Sequence, residues 1–573
     1  MKGRGATQFR IPAPPGYPRN GWTADLVAGL TLGVILVPQA MAYGLLAGVE
    51  PVYGLYAALV PLLVYGLLAS TPHVSVGPTA LASLLCLNGL APLATPGSPE
   101  YLGLAIVLAL LAGAIQLLLG LFRLGAFASL LSRPVLSGFV SAAAVLIILS
   151  QVDALLGMET ARTTYLHETL PELITQAGTI HLPSLLLGVG SLGVLVAAGR
   201  WLPRRFPAML LVIVVFTLVI ALFGRGWGVA TIGAIPSGLP GVLLPEITGT
   251  VVMELLPVAA VIALISFIET LSIGETFATR YDYYRPDPNR ELIALGASKL
   301  VGGLFQAIPT SASFSRSAVV ESSGGRGPLT SLVAFLLLGL VLLVLTPLFE
   351  YLPLPVLAAI IIFSVRKLFD LAEMRRLWHL APRELTTLLI TFIFTLFTGL
   401  QWGIAGGVLL SLIFVFWRAA RPHLAELGRV PGTNAFRNRA RFAAAEIDPS
   451  ILIVRFDAEL NFGNAAFFRD RIEELVSSRG DNLRAVVLDG HTINTIDTSG
   501  LHALELLLDQ LERRGVELYL CGVIGPVRDM LYRSGVMQRM GADHNFLSIQ
   551  DALVYLGGEA GHRGWDRPAV QHD

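Results

Sequence analysis

The sequence predicts a polytopic α-helical membrane protein with fourteen membrane elements, followed by a small α/β domain. Of the 573 residues, 54% are hydrophobic and 14% are charged, whereas a soluble domain has about 25% charged residues. Twelve apolar stretches have lengths suited to membrane helices, and two shorter stretches occupy matching places. Charged residues make up about 11% of residues 1–440 and about 25% of residues 441–573. A water-exposed region therefore follows the membrane region.

The composition also excludes several classes of protein. Lys and Arg total 40, as do Asp and Glu, so no net charge attracts nucleic acid. The two cysteines, Cys86 and Cys521, lie far apart in the chain and form no disulfide framework. The sequence contains no phosphate-binding loop, no metal-ligand spacing of histidines and no nucleophile elbow. We therefore expect no catalytic residues, no metal and no cofactor.

The membrane helices are predicted from hydropathy. A helix needs about 20 mostly apolar residues to cross the ~30 Å hydrocarbon layer of a bilayer. Segments of about this kind lie at 24–48, 52–70, 101–122, 133–152, 182–200, 207–223, 251–273, 290–305, 328–346, 353–366, 384–400 and 402–420. Two further apolar stretches, 78–91 and 311–323, are too short to span the layer.

Basic residues predict the orientation, because cytoplasmic loops carry an excess of Lys and Arg. Placing the N-terminus in the cytoplasm leaves only Arg162 and Arg225 in the outer connections. The cytoplasmic side then holds Lys2, Arg4, Arg10, Arg19, Arg123, Arg133, Arg200, Arg204, Arg205, Arg280, Arg285, Arg290, Arg326, Arg366, Lys367, Arg375, Arg376 and Arg383. We expect both termini in the cytoplasm of a multi-pass protein in the cell membrane, the inner membrane of a bacterium.

The two short elements are the most informative part of the membrane region. They begin with small, polar or helix-breaking residues, Ser75-Val76-Gly77-Pro78-Thr79 and Pro309-Thr310-Ser311-Ala312-Ser313. Such segments at matching places in two halves indicate an inverted-repeat transporter. The free N–H groups and positive dipole end of each short helix can hold an anion near the midplane. Two structural re-entrant helices are the alternative interpretation.

Ionisable residues at membrane depth are costly and often functional. Glu269 lies well inside its helix, and Arg316 lies about one turn into the second short element. Arg316 would add positive charge to an anion site, and Glu269 would couple a proton or a cation to anion movement. A structural ion pair between them is the alternative. We expect Lys299 and Glu275 near the cytoplasmic rim.

Gln39 and Tyr43 lie one turn apart in the first helix. They share a face and can offer an amide donor and a hydroxyl to a ligand. Hydrogen bonds to neighbouring helices are the alternative interpretation for both side chains.

The C-terminal region has the pattern of an α/β domain. Short buried strands are predicted at 451–456, 485–488 and 516–520, with helices near 464–479, 499–513 and 524–534. Asp497 or Thr498 is expected to cap the middle helix, where Ser499 could receive a phosphate. The predicted organisation is a cytoplasmic N-terminal segment (1–22), a transmembrane transport domain (23–422), a linker (423–448), the α/β domain (449–557) and a flexible tail (558–573).

Several motifs together resemble the SulP family of anion transporters, which includes sulfate permeases, bicarbonate transporters, prestin and pendrin. The resemblance covers nearly the whole chain, and the C-terminal domain resembles the STAS domain of this family. The motifs are Asp25-Leu26-Val27-Ala28-Gly29, Val37-Pro38-Gln39-Ala40-Met41-Ala42-Tyr43, His73-Val74-Ser75-Val76-Gly77-Pro78-Thr79, Glu269-Thr270-Leu271-Ser272-Ile273-Gly274, Ser313-Phe314-Ser315-Arg316-Ser317, and Arg421-Pro422-His423 with the run from Leu427 to Thr433.

The resemblance implies two inverted repeats of seven elements, a core domain that moves against a gate domain, and a homodimer. It places substrate binding at Gln39, Tyr43, Thr79, Ala80, Ser313, Phe314, Ser315 and Arg316, and the coupling ion at Glu269. Sodium–bicarbonate members have Asp at the Glu269 position and Thr at the Ile273 position, so this chain favours proton coupling. The run of residues 272–278 is more similar to that of sulfate-transporting members, although Glu275 stands where these often have a basic residue.

The sequence therefore predicts a secondary active transporter for a small oxyanion, with sulfate favoured, that works with protons by alternating access. The alternatives are sodium-coupled bicarbonate or dicarboxylate transport, anion exchange, a passive anion channel, and a signalling scaffold whose STAS domain is the active part. The expected partners are an inorganic anion, protons, the bilayer, a second copy of the chain and a regulatory protein on the STAS domain. Ser499 matches the serine that is phosphorylated in related bacterial anti-sigma antagonists.

Overall fold

The structure is a computed structural model, and it describes residues 21–126, 132–158, 166–201, 208–224, 226–281, 284–369 and 371–558. The predicted tail and nearly all of the N-terminal segment lie outside the described residues. So do some of the basic residues used for the orientation: Lys2, Arg4, Arg10, Arg19, Arg162, Arg204, Arg205 and Arg225. The chain divides into two compact units between Ser411 and Leu412.

The first half of the membrane region contains seven predicted elements, and all of them are helical. In chain order this half contains α1 (Gly21–Leu46), α2 (Pro51–Leu68), strand β1 (Val76–Gly77), α3 (Ala80–Leu90), α4 (Pro99–Leu121), α5 (Arg133–Leu149), α6 (Val152–Leu156), α7 (Leu166–Thr175), α8 (Leu182–Trp201) and α9 (Ala208–Phe223). The short helices α6 and α7 lie outside the predicted set.

The second half repeats this arrangement. It contains α10 (Gly249–Ala278), α11 (Pro288–Leu304), strand β2 (Ser311–Ala312), α12 (Phe314–Ser322), α13 (Pro328–Leu340), α14 (Leu354–Val365), α15 (Leu371–Leu380), α16 (Pro382–Thr398) and α17 (Leu400–Ala420). A π-helical turn, Val341–Leu345, continues α13. The predicted short elements are α3 and α12, with 11 and 9 residues.

Helix length and composition agree with a membrane location. Seven helical stretches among the described residues are long and apolar enough to cross a membrane: Trp22–Leu46, Pro51–Leu68, Pro99–Leu121, Arg133–Leu156, Leu182–Trp201, Gly249–Ala278 and Pro328–Phe349. Shorter apolar helices cover Ala80–Leu90, Ala208–Phe223, Leu354–Val365 and Ala405–Ala420.

A pair of two-residue strands joins the two halves. β1 and β2 are antiparallel, with Val76 opposite Ala312 and Gly77 opposite Ser311. All four residues are buried. Because α3 and α12 each begin within three residues of these strands, the pairing brings the starts of both short helices to one place.

Glycines let α1 approach its neighbours closely, and this fixes the position of its polar face. A Cβ placed on Gly54 of α2 would lie 2.0 Å from the carbonyl oxygen of Ala40, and one placed on Gly29 would lie 2.6 Å from the Cβ of Val333 in α13. Neither position has room for a larger side chain. The turn of α1 that carries Gln39 is therefore held directly against the backbone of α2.

The C-terminal unit contains a six-stranded sheet in the order β4-β3-β5-β6-β7-β8. Its elements are β3 (Leu424–Arg429), β4 (Phe436–Asn438), β5 (Ile451–Phe456), α18 (Ala465–Arg479), β6 (Ala485–Asp489), α19 (Thr498–Arg513), β7 (Glu517–Cys521), α20 (Gly525–Arg533), α21 (Val536–Met540), β8 (Asn545–Phe546) and α22 (Ile549–Gly558). Strands β5 to β8 are parallel, whereas β3 is antiparallel to both of its neighbours.

The predicted linker over 423–448 is wrong, because this segment contributes β3 and β4 to the sheet. The prediction missed both strands because they are short and the turn between them, Pro431-Gly432-Thr433, suggests an irregular connection. Gly428 of β3 packs closely against the segment that contains Glu446, since a Cβ placed on Gly428 would lie 2.9 Å from the carbonyl oxygen of Glu446.

The start of α19 has the predicted cap, and the residue is Asp497. Its Oδ1 accepts a hydrogen bond from the backbone N–H of Gly500 at 2.8 Å, and its Oδ2 accepts one from the N–H of Phe462 at 2.8 Å. Ser499, in the first turn of this helix, is exposed.

Candidate functional site

The site is built around the starts of the two short helices. Thr79 is the N-cap of α3, and its Oγ1 accepts a hydrogen bond from the N–H of Ala82 at 3.4 Å. Ser313 is the N-cap of α12 but makes no side-chain cap. Its backbone N–H donates instead to the carbonyl oxygen of Ser75 at 3.0 Å, across the two halves. Both helices therefore direct the positive ends of their dipoles toward the same region.

Arg316 is a buried cation between these helix starts. It is the third residue of α12 and is 1% exposed. Its Nη1 donates to the carbonyl oxygen of Pro78 at 2.9 Å, whereas Nε and Nη2 are buried without a hydrogen-bond partner among the described residues. Burying polar donors without partners is costly, so this guanidinium is suited to an anion that accepts from Nε and Nη2.

Gln39 and Tyr43 of α1 face the same region. The two side chains are 1% and 7% exposed, and Tyr43 has an electrostatic interaction with Arg316. The Nε2 of Gln39 donates to the thioether sulfur of Met209 in α9 at 3.4 Å, and its Oε1 has no partner among the described residues. The sequence analysis missed Met209, because a methionine in an apolar helix carries no signal of a polar contact.

Glu269 of α10 contacts the start of the second short helix. The hydroxyl of Ser311 donates to its Oε2 at 2.5 Å, and the carboxylate interacts electrostatically with Arg316 and Lys299. No ion pair within 4.0 Å joins Glu269 to Arg316 in the described part of the chain. The direct partner of Glu269 is thus a hydroxyl at the strand pair, and its side chain stays partly exposed.

The expected position of Lys299 at the rim is wrong. Its side chain is 1% exposed and lies among α4, α10 and α11. Its Nζ donates to Oε1 of Gln116 at 2.9 Å and to Oγ of Ser266 at 3.2 Å. The small residue Gly113 allows this approach, since a Cβ there would lie 2.9 Å from the Cβ of Lys299. Glu275, in contrast, is exposed as expected.

The remaining residues predicted to bind substrate differ in which of their groups could contact an anion. Ala80 is buried at the first position of α3, so its contribution is its backbone. The Oγ atoms of Ser313 and Ser315 lie 3.2 Å apart, and both side chains are partly exposed. The ring of Phe314 stacks on Phe277 with 5.7 Å between the centroids, which uses its side chain in packing against α10.

Two half-helices, a buried guanidinium and a carboxylate meet inside the membrane region. This arrangement is typical of secondary transporters. The family model described as "Sulfate permease family" matches residues 22–391, and the model of the STAS domain matches residues 442–552. The chain belongs to the sulfate permease family, whose members are transporters and not enzymes. The predicted family and fold class are thereby confirmed.

Relatives match along most of their length. The chain is 36% identical over 545 residues to "Sulfate transporter 4.1, chloroplastic" of Arabidopsis thaliana, covering 92% of this chain and 79% of that protein. It is 34% identical over 550 residues to a probable sulfate transporter of Mycobacterium tuberculosis, covering 96% and 97%.

Solved structures agree with this assignment. The murine Slc26a9 anion transporter in the inward-facing state superposes with a TM-score of 0.86 at 25% identity, over 94% of this chain and 92% of that one. The transmembrane domain of the cyanobacterial bicarbonate transporter BicA superposes with a TM-score of 0.59 at 23% identity, over 69% of this chain and 98% of that one. The second likeness shows the fold alone.

Proposed function

We propose that the protein takes up sulfate together with protons by alternating access. The observation that carries the proposal is Arg316, a buried guanidinium at the meeting point of two helix starts with two donor atoms that have no partner among the described residues. The sulfate transporters among its relatives support the choice of anion.

The donors around Arg316 suit a small oxyanion. A tetrahedral dianion accepts several hydrogen bonds at once, and charge-assisted bonds to a guanidinium are the strong ones. Nε and Nη2 of Arg316 provide free donors, and the first N–H groups of α3 and α12 add positive partial charge. The Tyr43 hydroxyl and the Gln39 amide lie on the facing helix. The bond to Met209 uses one of the two N–H donors of the Gln39 amide, which leaves a single amide donor for the anion while that bond persists.

Glu269 is the proposed proton carrier. Its carboxylate would repel sulfate when ionised, and its protonation removes that charge while Arg316 neutralises one charge of the anion. The hydrogen bond from Ser311 links this change directly to the strand next to α12. Binding of the proton would therefore raise the affinity for the anion, and binding of the anion would raise the affinity for the proton.

Sodium coupling is disfavoured by the surroundings of Ile273. Its side chain is 7% exposed and packs in an apolar cluster with Phe267 and Phe277. Sodium requires oxygen ligands, as other hard cations do, and this position provides none.

The decisive experiment is transport by purified protein in liposomes. Labelled sulfate should accumulate when the outside is acidic and should not accumulate without a proton gradient. Chloride, bicarbonate and dicarboxylates, each tested with an imposed proton or sodium gradient, provide the comparison. Sulfate accumulation that does not change with the proton gradient would contradict proton coupling. Accumulation of bicarbonate driven by sodium would instead support the alternative, sodium-coupled bicarbonate transport.

The proposal includes the setting of the protein. The protein would be a homodimer in the bacterial inner membrane, with both termini and the STAS domain in the cytoplasm, and the basic residues of the predicted inner loops support this orientation. The transport domain would span about residues 23–422. Ser499 is exposed at the start of α19, where a kinase could reach its hydroxyl and where a regulatory protein could read the phosphate.

A further inference from the structure

A cavity lies at one end of α2, beside the starts of α11 and α13, and its lining includes none of the residues assigned to the site around Arg316. Its volume is about 300 Å³. Leu67 and the loop after α2 form one wall, Tyr284 to Arg290 form a second, and Gly327 to Ser331 of α13 form the third. The proposed function uses none of these residues.

The cavity contains donors without partners. Arg285 is exposed, and its guanidinium has no hydrogen bond or ion pair with another described residue. Arg290 donates from Nε to the carbonyl oxygen of Leu68 at 2.8 Å and has no carboxylate partner in the described ranges. Ser331 is 9% exposed, and its hydroxyl has no hydrogen-bond partner among the residues that the structure describes. A nearly buried hydroxyl that faces a cavity beside two guanidinium groups points to an acceptor ligand.

Two carboxylates lie near these cations, and hydrogen bonds orient both of them without removing their charge. Oδ1 of Asp287 caps α11 by accepting from the N–H groups of Asn289 and Arg290. The buried Glu291 accepts from Tyr65, Ser70 and Thr71. The residues that line the cavity therefore include two guanidinium groups and one carboxylate, that of Asp287, a formal net charge of +1, and Glu291 lies outside the lining.

Exposed leucines lie on two of the helices that line this cavity, α2 and α13. Leu67 at the end of α2 is 45% exposed, and Leu332 and Leu336 in the first turns of α13 are 40% and 60% exposed. In a membrane these leucines contact acyl chains. Arg285 and Arg290 belong to the predicted cytoplasmic loops, where the leaflet contains anionic lipids, and basic pockets between helices on that side bind anionic headgroups.

We propose that this cavity binds the headgroup of an anionic phospholipid. Its phosphate would accept hydrogen bonds from Arg285, Arg290 and Ser331, and an acyl chain would lie along Leu332 and Leu336. This inference does not depend on which anion the protein transports.

Purified full-length protein is titrated with phosphatidylglycerol or phosphatidylcholine. Thermal unfolding measures the stabilisation by each lipid, and native mass spectrometry measures the lipid that the protein retains. Phosphatidylglycerol should bind and raise the unfolding temperature. Arg285→Gln should weaken its binding about fivefold, since one basic side chain near a lipid headgroup contributes about that factor. Arg375→Gln is the matched control, because Arg375 is an exposed arginine of α15 outside the cavity, and it should change nothing.

Two further variants and a ligand without acyl chains test the proposed contacts separately. Arg285→Lys should restore most of the binding, and Ser331→Ala should weaken it about threefold through loss of one hydrogen bond. Equal binding of phosphatidylcholine, unchanged affinity in both Arg285→Gln and Ser331→Ala, or equal protection by glycerol phosphate without acyl chains would overturn the proposal. The last result would show a site for free phosphoesters.

Discussion

The hydroxyl of Ser311 donates to the carboxylate of Glu269 at 2.5 Å, and Ser311 also pairs with Gly77 in the strand bridge between the two halves. A change of charge on Glu269 therefore acts on the backbone from which α12 starts. Arg316 lies one turn further along that helix. The proposed proton carrier and the proposed anion ligand are thus connected through a single hydrogen bond and one helical turn.

Replacing Glu269 with Gln should abolish proton-driven accumulation of sulfate, because an amide keeps the hydrogen bond to Ser311 but cannot exchange a proton. We expect at least a tenfold loss of accumulation under a proton gradient in proteoliposomes, with sulfate binding retained. Glu275→Gln, at an exposed position of the same helix, is the control. Undiminished pH-driven accumulation in Glu269→Gln would assign coupling to another group.

Replacing Arg316 with Ala should weaken sulfate binding by about 10- to 100-fold, the range expected for hydrogen bonds to a charged group. The unfolding temperature without sulfate should fall, since the variant loses the hydrogen bond to Pro78 and leaves a cavity in place of a large buried side chain. Calorimetric titration and thermal unfolding of the purified protein measure both effects. Normal affinity in this variant would exclude the guanidinium from the site.

Replacing Met209 with Leu should raise sulfate affinity about threefold. Leucine has a similar volume but accepts no hydrogen bond, so both N–H donors of the Gln39 amide become available to the anion. Met253→Leu is the control, because Met253 is 71% exposed. Equal affinities of both variants and the parent would show that the Gln39–Met209 contact does not compete with the substrate.

Replacing Asp457 with Asn should destabilise the C-terminal unit in a pH-dependent way. Burial raises the pKa of Asp457, but hydrogen bonds from Arg455 and His423 outweigh burial and hold the pKa below its usual value. A lowered pKa contributes stability above the unfolded value of about 3.9 and loses it as pH falls through the folded value. The deficit in unfolding temperature should be present at pH 7 and narrow below pH 4. Asp481→Asn, at an exposed site, should show no such trend.

Hydropathy and charge predicted much of this molecule because the bilayer imposes simple rules. All twelve long segments are helices, and the small, polar or helix-breaking residues at their starts marked the short helices α3 and α12 correctly. Glu269 and Arg316 were identified because charges in apolar segments are rare. Lys299 was misplaced since its partners, Gln116 and Ser266, belong to other helices.

Contacts between segments that are distant in the chain could not be predicted from the sequence. Met209 gave no signal, because its role depends on which face of α9 meets Gln39. The cavity beside Arg285 joins three segments that are distant in the chain, and loop composition alone did not indicate it. Strands β3 and β4 were missed because their pairing partners decide their conformation.

The four-residue bridge of β1 and β2 depends on both halves of the membrane region. An antiparallel pair has a local half-turn symmetry that exchanges its two strands, here Val76-Gly77 and Ser311-Ala312. Each half of the membrane region supplies one strand, so neither half can form the bridge alone.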